Sequence, residues 1–543
     1  MASFDTAAAQ GLLSELEKLF GKAKNAVKAK VSKGGKPDAG LIDQNQIPAH
    51  GLAGLATELE AARQITEWAG RVGGDLEALM ARAVLSQVAR HFTAEVSLSQ
   101  MERIPVSQIG LSDEDVSAFK KNPAVAAFLA KGDRPEDFAE IAKLIREKDG
   151  KTGNFGLDNE DLEMIRDQFK KMADEKVAPI APDIHDNDKL VPIELIRELA
   201  ELGVFGLTIP EEYGGSNLGK HAMCVVTEEL SRGYIGVGSL ATRTEIAGEL
   251  IRLGGTDEQR KHFLPKLSAG DYIPTAVFTE PDNGSDLAHL KTRATREGDY
   301  YKINGQKTWI THAARANLMT VLARTNPKDD GYGGLSMFLV TKDMGTEARP
   351  FTLEGLQGDE IPVLGYRGMK EYALGFEDVR VPASALLGGV EGKGFKQLMT
   401  TFESARIQTA ARAVGVGQAA FDLAYKYATE RIQFGKPLIE FPRVWYKIAQ
   451  MATWLMASRQ ITYFSARQKD LEKRCDLEAG MAKLLAAKVA WECADVGLQI
   501  HGGNGFATEY PISRVLVDSR VLSIFEGAAE IQAQVIARRL LEE

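Results

Sequence analysis

A chain of 543 residues, 44% hydrophobic and 26% charged, carries enough apolar material for several cores and reads as an ordinary globular protein. Its 66 basic against 75 acidic side chains leave a net charge of −9, which argues against nucleic acid or an anionic membrane as the main partner. No apolar run reaches membrane-span length, the start MASFDTAAAQGLL lacks the parts of a signal peptide, and Cys224, Cys475 and Cys493 lie too far apart to suggest a disulfide framework. The expected setting is a reducing cytoplasm. The histidines show no paired metal-ligand spacing.

Residues 1–150 are expected to form a helical extension. GLLSELEKLFGKAKNAVKAKV and GLAGLATELEAARQITEWAGRV carry apolar residues at three- and four-residue steps. SKGGKPDAG and RIPVSQIG read as breaks, and EKDGKTGNFG as a linker. A helical domain follows over 151–274, with one helix running to the proline of DLEMIRDQFKKMADEKVAPI and an amphipathic one in PIELIRELAELGVFGL. The texture then changes. YYKINGQKTWI has strand-like arms around Asn304-Gly305, a hairpin signal, and LMTVLAR, LSMFLVTK and YALGFEDVRVP add short β-branched or aromatic runs. These place a β domain over 275–390. Long helical patterns return over 391–543, where Met481, Leu485, Val489, Cys493, Val496 and Ile500 form a stripe that stops at Gly502-Gly503.

Several chemistries are excluded by the motifs. GVGQAA at 415–420 has the glycines of a dinucleotide turn but follows a helical stretch, so its small residues mark close helix packing. GGVEGKGF has the wrong spacing for a phosphate loop, and no nucleophile-elbow serine appears. What remains is a set of weak local signals. FTEPDNGSD is a turn with the Thr279 and Ser285 hydroxyls available to a ligand, or simply a surface turn. In QKTWIT, a period of two puts Trp309 and Thr311 on one face, suited to a flat heteroaromatic ring or to a core. In ERIQFGKPL, Arg431 suits a phosphate and Phe434 a ring, and LQIHGGNGF ends a helix on glycines that permit close backbone approach. In SIFEGAAEIQ, Glu526 either caps the following helix or is a carboxylate kept in an apolar pocket, where a weak acid becomes a useful base.

TEPDNGSD, INGQKTWIT, GYRGMKEYALGFEDVRVP, ERIQFGKPL, QIHGGNGF and IFEGAAEIQ, in this order over about 156–543, resemble the successive signatures of the acyl-CoA dehydrogenases. The resemblance implies an α+β fold: an N-terminal helical domain, a middle β domain and a C-terminal four-helix bundle, here with an extra helical extension. It implies FAD, an acyl-CoA thioester oxidised across its α,β bond, and electron-transfer flavoprotein as acceptor. Residue by residue, Phe278, Thr279 and Ser285 match positions at the flavin or the bound ligand, and Trp309 and Thr311 match the pair beside the flavin ring. Arg431, Gln433 and Phe434 match a segment that a neighbouring subunit places on the cofactor's ADP half, and Gln499, Gly502 and Gly503 match its second contact. Arg406 matches an arginine near the catalytic carboxylate, and Glu526 the catalytic base. Ala528, Glu530 and Pro442 stand where the family commonly has other residues, which puts the adenosine-end contacts in question.

An unperturbed glutamate, near pKa ~4.3, is a poor match for a proton α to a thioester. Burial of Glu526 against Ile524, Phe525 and Ala528 is expected to raise it. The layout, extension included, resembles that of a long family member acting on a branched dicarboxylic thioester. Arg243 shares a helical stripe with Leu240, Ala247 and Leu250 in GVGSLATRTEIAGELIRLGG, and a buried arginine demands an anion. That anion is either a second substrate carboxylate or a protein acid such as Glu371. The extension is expected to cover the surface on which family dimers pair, giving a homodimer in place of a tetramer. An acyl-CoA oxidase shares the motifs, and a DNA-binding relative is opposed by the charge.

Overall fold

The structure, a computed structural model, describes residues 4–157, 159–346 and 348–542. Two compact units emerge, Met1–Met164 with Thr409–Glu543, and Ile165–Gln408. In the first, the Thr6–Val31 helix is capped by Asp5, whose carboxylate accepts the Ala8 N–H, and it buries Leu12, Leu16, Ala23 and Val27. The Gln46–Val72 helix is buried on nearly every side, because it packs both on its extension neighbours and on the bundle helices Pro442–Asp470 and Ala529–Glu542. The expected stripe on Asp476–His501 is present: Met481, Leu485, Val489, Cys493 and Ile500 are buried, and Gly502 closes the helix at φ +59. Close packing at GVGQAA also holds. A Cβ on Gly417 would lie 3.0 Å from Leu455 Cδ1 and 3.4 Å from the Ala490 Cα.

Two breaks are more ordered than the sequence reading has them. Arg103–Pro105 is a strand paired with Glu95–Ser97. The linker is strapped down: the Trp68 indole donates to the Asn154 carbonyl at 2.9 Å, Gln460 Nε2 donates to the Phe155 carbonyl at 2.9 Å, and the Arg459 guanidinium lies 3.9 Å over the Phe155 ring.

In the second unit, the expected stop at Pro179 does not occur. The Glu160–Met172 helix continues through a π turn and a 3₁₀ turn into Ala181–Asp186, which absorbs the missing proline N–H without ending the helical path. The stretch read as one helix is two, Ile235–Gly238 and Leu240–Gly254, with Ser239 between them. The sheet comprises β1 (Pro274–Val277), β2 (Arg293–Glu297), β3 (Tyr300–Thr311), β4 (Leu318–Arg324), β5 (Leu335–Thr341), β6 (Leu356–Ile361) and β7 (Glu371–Pro382). Its order is β6-β7-β3-β2-β4-β1, with β5 also pairing β4. Alternation on β4 explains the core: Met319, Val321 and Ala323 join Tyr301, Ile303 and Phe338, while Leu318 and Leu322 join Ile246, Leu250 and Leu264 from the helices.

Asn304-Gly305 is not a hairpin turn. β3 runs straight through it, and the chain reverses at Gly298 instead, where φ is +63. The glycine is there for approach: a Cβ on Gly305 would come within 2.6 Å of the Thr292 Cα. Asn304 serves a bulge in β7, donating to Asp378 Oδ1 at 3.0 Å while its own Oδ1 accepts the Asp378 N–H at 2.9 Å.

Candidate active site

Glu526 stands in a turn before the Ala529–Glu542 helix, in the left-handed region at φ +52, followed by Gly527 at φ +91. A non-glycine residue held there is strained and persists only where its surroundings over-determine it. The surroundings are buried side chains of the first unit. Gln532 Nε2 donates to the Gly527 carbonyl at 3.1 Å, and Lys483 Nζ donates to the same oxygen at 2.7 Å. The carboxylate turns away from the following helix: its Oε2 accepts from Arg412 Nη2 at 2.7 Å and from the Thr409 hydroxyl. Arg412 is fully buried, also donates to Thr409 Oγ1 at 2.7 Å, and lies 4.7 Å over the Phe525 ring.

This corrects the apolar-pocket expectation. Ile524 is 55% exposed, and the Glu526 side chain, 13% exposed, is held by an arginine and a hydroxyl. The arginine hydrogen-bonded to Glu526 is Arg412, which the sequence reading missed. Arg406, expected near the catalytic carboxylate, is buried in the second unit with its guanidinium carbon 5.8 Å over the Phe402 ring.

In the second unit, β3 brings its expected residues to one edge, but not by simple alternation. The register against β7 slips between Tyr372 and Leu374, and Trp309 in that bulge adopts φ +58. The bulge re-aims the indole, leaving Trp309 57% exposed while Thr311 is buried. Thr311 Oγ1 donates to Glu371 Oε1 at 2.8 Å, so the threonine and the acid named from sequence meet. The turn carrying Phe278, Thr279 and Ser285 is tied to the same strand, the Thr308 N–H donating to the Thr279 carbonyl at 3.0 Å. An exposed indole plane, a hydroxyl-bearing turn and a buried threonine two residues on form a donor set that fits the edge and face of a flat ring system such as flavin. Arg243 is buried at 7% exposure. Burial first, then the charges of Arg315, Arg243 and Lys342, push His312 down to about 3, so that corner of the unit is strongly cationic.

The remaining candidates lie on the first unit. Arg431, Gln433 and Phe434 form a tight hairpin, Ile432–Gln433 against Lys436–Pro437, with Phe434 at φ +51 and Gly435 at φ +80 in the turn. The turn pushes Phe434 out to 93% exposure. Gln499, Gly502 and Gly503 are exposed at the end of the Asp476–His501 helix, and the neighbouring Phe506 is 90% exposed. Among the described residues no group of metal-ligating side chains and no helix long and apolar enough to cross a membrane occurs.

Three family models match the chain: the acyl-CoA dehydrogenase N-terminal domain at residues 159–271, the middle domain at 275–379 and the C-terminal domain at 392–541. A (2S)-methylsuccinyl-CoA dehydrogenase from Cereibacter sphaeroides is 55% identical over 98% of both chains, the extension therefore included. Among solved structures, butyryl-CoA dehydrogenase from Megasphaera elsdenii is 32% identical with a TM-score of 0.65, covering 69% of this chain and 98% of its own. A glutaryl-coenzyme A dehydrogenase in complex with glutaryl-CoA is 33% identical with a TM-score of 0.66, covering 70% and 94%.

Proposed function

Because this chain belongs to the acyl-CoA dehydrogenase family, and so is an oxidoreductase of a flavin-dependent family, we propose that it oxidises (2S)-methylsuccinyl-CoA to mesaconyl-CoA with FAD as cofactor. The observation that carries this reading is the 55% identity to a methylsuccinyl-CoA dehydrogenase, which runs through the 150-residue extension as well as the three family domains. FAD supplies the acceptor for the hydride leaving the β carbon. Everything else falls to the protein. Glu526 removes the α proton, and its strained turn fixes where the carboxylate reaches. Arg412 and Thr409 keep that carboxylate oriented until substrate arrives. Trp309 and Thr311 hold the ring's face and edge, with Glu371 orienting the Thr311 hydroxyl, and Thr279 and Ser285 take the turn side. Buried Arg243 pairs with the substrate's distal carboxylate, which distinguishes a dicarboxylic thioester from a neutral one.

Electrons pass on to electron-transfer flavoprotein. The exposed Phe434 hairpin and the Gln499–Gly503 helix end serve the ADP half of a cofactor bound by a second copy, and the protein is a homodimer. The capping role of the extension is supported by the Gln46–Val72 helix, which packs on the bundle helices Pro442–Asp470, Asp476–His501 and Ala529–Glu542. Anaerobic titration of the purified protein with methylsuccinyl-CoA, 2-methylbutyryl-CoA and butyryl-CoA tests the substrate. Methylsuccinyl-CoA is expected to bleach the flavin fastest, and equal or slower bleaching than by 2-methylbutyryl-CoA overturns the assignment. Peroxide on admission of air marks an oxidase, and light scattering at a tetramer mass overturns the capping role.

A further inference from the structure

Lys307 sits on β3 with its ammonium fully buried, and lysine is among the last residues a core accepts. It donates to the Phe278 carbonyl at 2.8 Å and to Glu280 Oε1 at 3.1 Å. Glu280 is 4% exposed and saturated: Oε1 also accepts the Thr292 N–H at 2.8 Å and Oε2 accepts the Lys291 N–H at 2.6 Å. The acid begins the tight turn itself, its N–H donating to the Asn283 carbonyl at 3.0 Å and its carbonyl accepting the Asn283 N–H at 3.2 Å. Beyond that clamp the turn is open, with Asp282, Gly284 and Ser285 exposed. A buried ion pair of this kind is seldom worth more than an apolar pair of the same volume, so stability alone does not account for it. Its geometry does something an apolar pair does not. It fixes the Phe278–Glu280 backbone against the strand that, two residues on from Lys307, carries the Trp309 bulge.

We infer that Lys307 and Glu280 are positioning residues for the cofactor, acting through the Phe278–Ser285 turn without touching the ring, an inference that rests on the FAD reading above. The pair sets the spacing between the turn's hydroxyls and the Trp309–Thr311 edge before any ligand arrives, which lowers the ordering cost of binding. Burial pushes Lys307 down to about 8, with Glu280 the ionisable group facing it, while the Lys291 ammonium is turned outward to Asp282 at 2.9 Å. The clamp therefore loosens as pH rises through that value.

The test uses the full-length protein, stripped of flavin and retitrated with FAD. In the charge-free double variant K307M/E280Q the core keeps its volume, but the new amide has one acceptor oxygen where the carboxylate gave one to each of two main-chain N–H groups. The unliganded melting temperature therefore falls, while a cooperative transition shows that the variant folds. FAD affinity is expected to fall about tenfold, the turn having lost its donor to the Phe278 carbonyl, and the visible band of the bound flavin to shift. Wild-type affinity and an unshifted band in a folded double variant overturn the inference. Should that variant not fold, wild-type FAD affinity decides: a fall through about pH 8 supports the clamp and a flat profile contradicts it. A wild-type chain that takes up no FAD at any pH removes the functional reading itself, an outcome distinct from an unchanged variant.

Discussion

Glu280 and Glu526 are both paired with buried cations, and the two pairs are built differently. Glu280 has both carboxyl oxygens engaged by main-chain N–H groups as well as by Lys307, and it is 4% exposed. Glu526 receives Arg412 and Thr409 on one oxygen, Oε2, keeps 13% of its side chain exposed, and sits on a left-handed backbone. Main-chain donors do not move, whereas side-chain donors do. Glu280 is therefore fixed to the turn it starts, while Glu526 Oε2 accepts from two side chains. Glu280 is accordingly held well below the usual carboxylate range, burial being outweighed by Lys307 and the Lys291 and Thr292 N–H groups.

The sharpest difference between the two pairs is tested at Arg412. Arg412→Met removes the group that orients the base and is expected to lower turnover about 10²-fold at unchanged FAD affinity, the scale of a misplaced catalytic group. Loss of FAD binding instead would place Arg412 with the structural pair. Arg243→Met probes the cationic corner of the second unit. The Michaelis constant for methylsuccinyl-CoA should rise about tenfold while 2-methylbutyryl-CoA improves, as expected when a charge-assisted pair is lost. Equal losses on both thioesters would make Arg243 a cation that only holds the fold.

The smallest expected effect is in the extension, where His91 Nδ1 lies 2.8 Å from Glu58 Oε2. Burial opposes the charged imidazole, but the Glu58 charge outweighs it and raises His91 above its ordinary value. A raised histidine stabilises the fold fully below the unfolded value of ~6.5, and that contribution disappears as pH rises through the higher folded value. His91→Gln should therefore lower the melting temperature at pH ~5.5 and leave it unchanged at pH ~8.5. The pair is partly exposed, so the loss is about 0.2–1 kcal/mol. An equal loss at both pH values would mean that the imidazole contributes by packing alone.

The α-then-β-then-α organisation is legible because the apolar period changes from 3.6 to 2 near residue 275, and the bundle stripe because a helix places Cys493 and Ile500, seven residues apart, on one side where a strand would set them on opposite faces. Asn304-Gly305 misled because a glycine demanded by a neighbouring Thr292 backbone has the same letter as one demanded by a turn. Trp309 was found, but the bulge that exposes it depends on β7, 60 residues away, and no local pattern announces it. Glu526 stood out as a lone acid among apolar neighbours. Arg412 did not, since its meaning comes from a turn 114 residues later in the chain. Lys307 was equally silent: a lysine in a strand reads as solvent-facing until its partner, Glu280, is in place.

The central claim is that Glu526 removes the α proton, and single-turnover reduction of the bound flavin by (2S)-methylsuccinyl-CoA without oxygen tests it most directly. Glu526→Gln keeps the size and the Arg412 neighbourhood but not the basicity. The account predicts that this variant binds FAD and thioester yet bleaches slower than wild type by at least about 10²–10⁴-fold, the range a positioned base contributes. Bleaching at the wild-type rate would contradict it, leaving Glu526 as a residue that only shapes its turn.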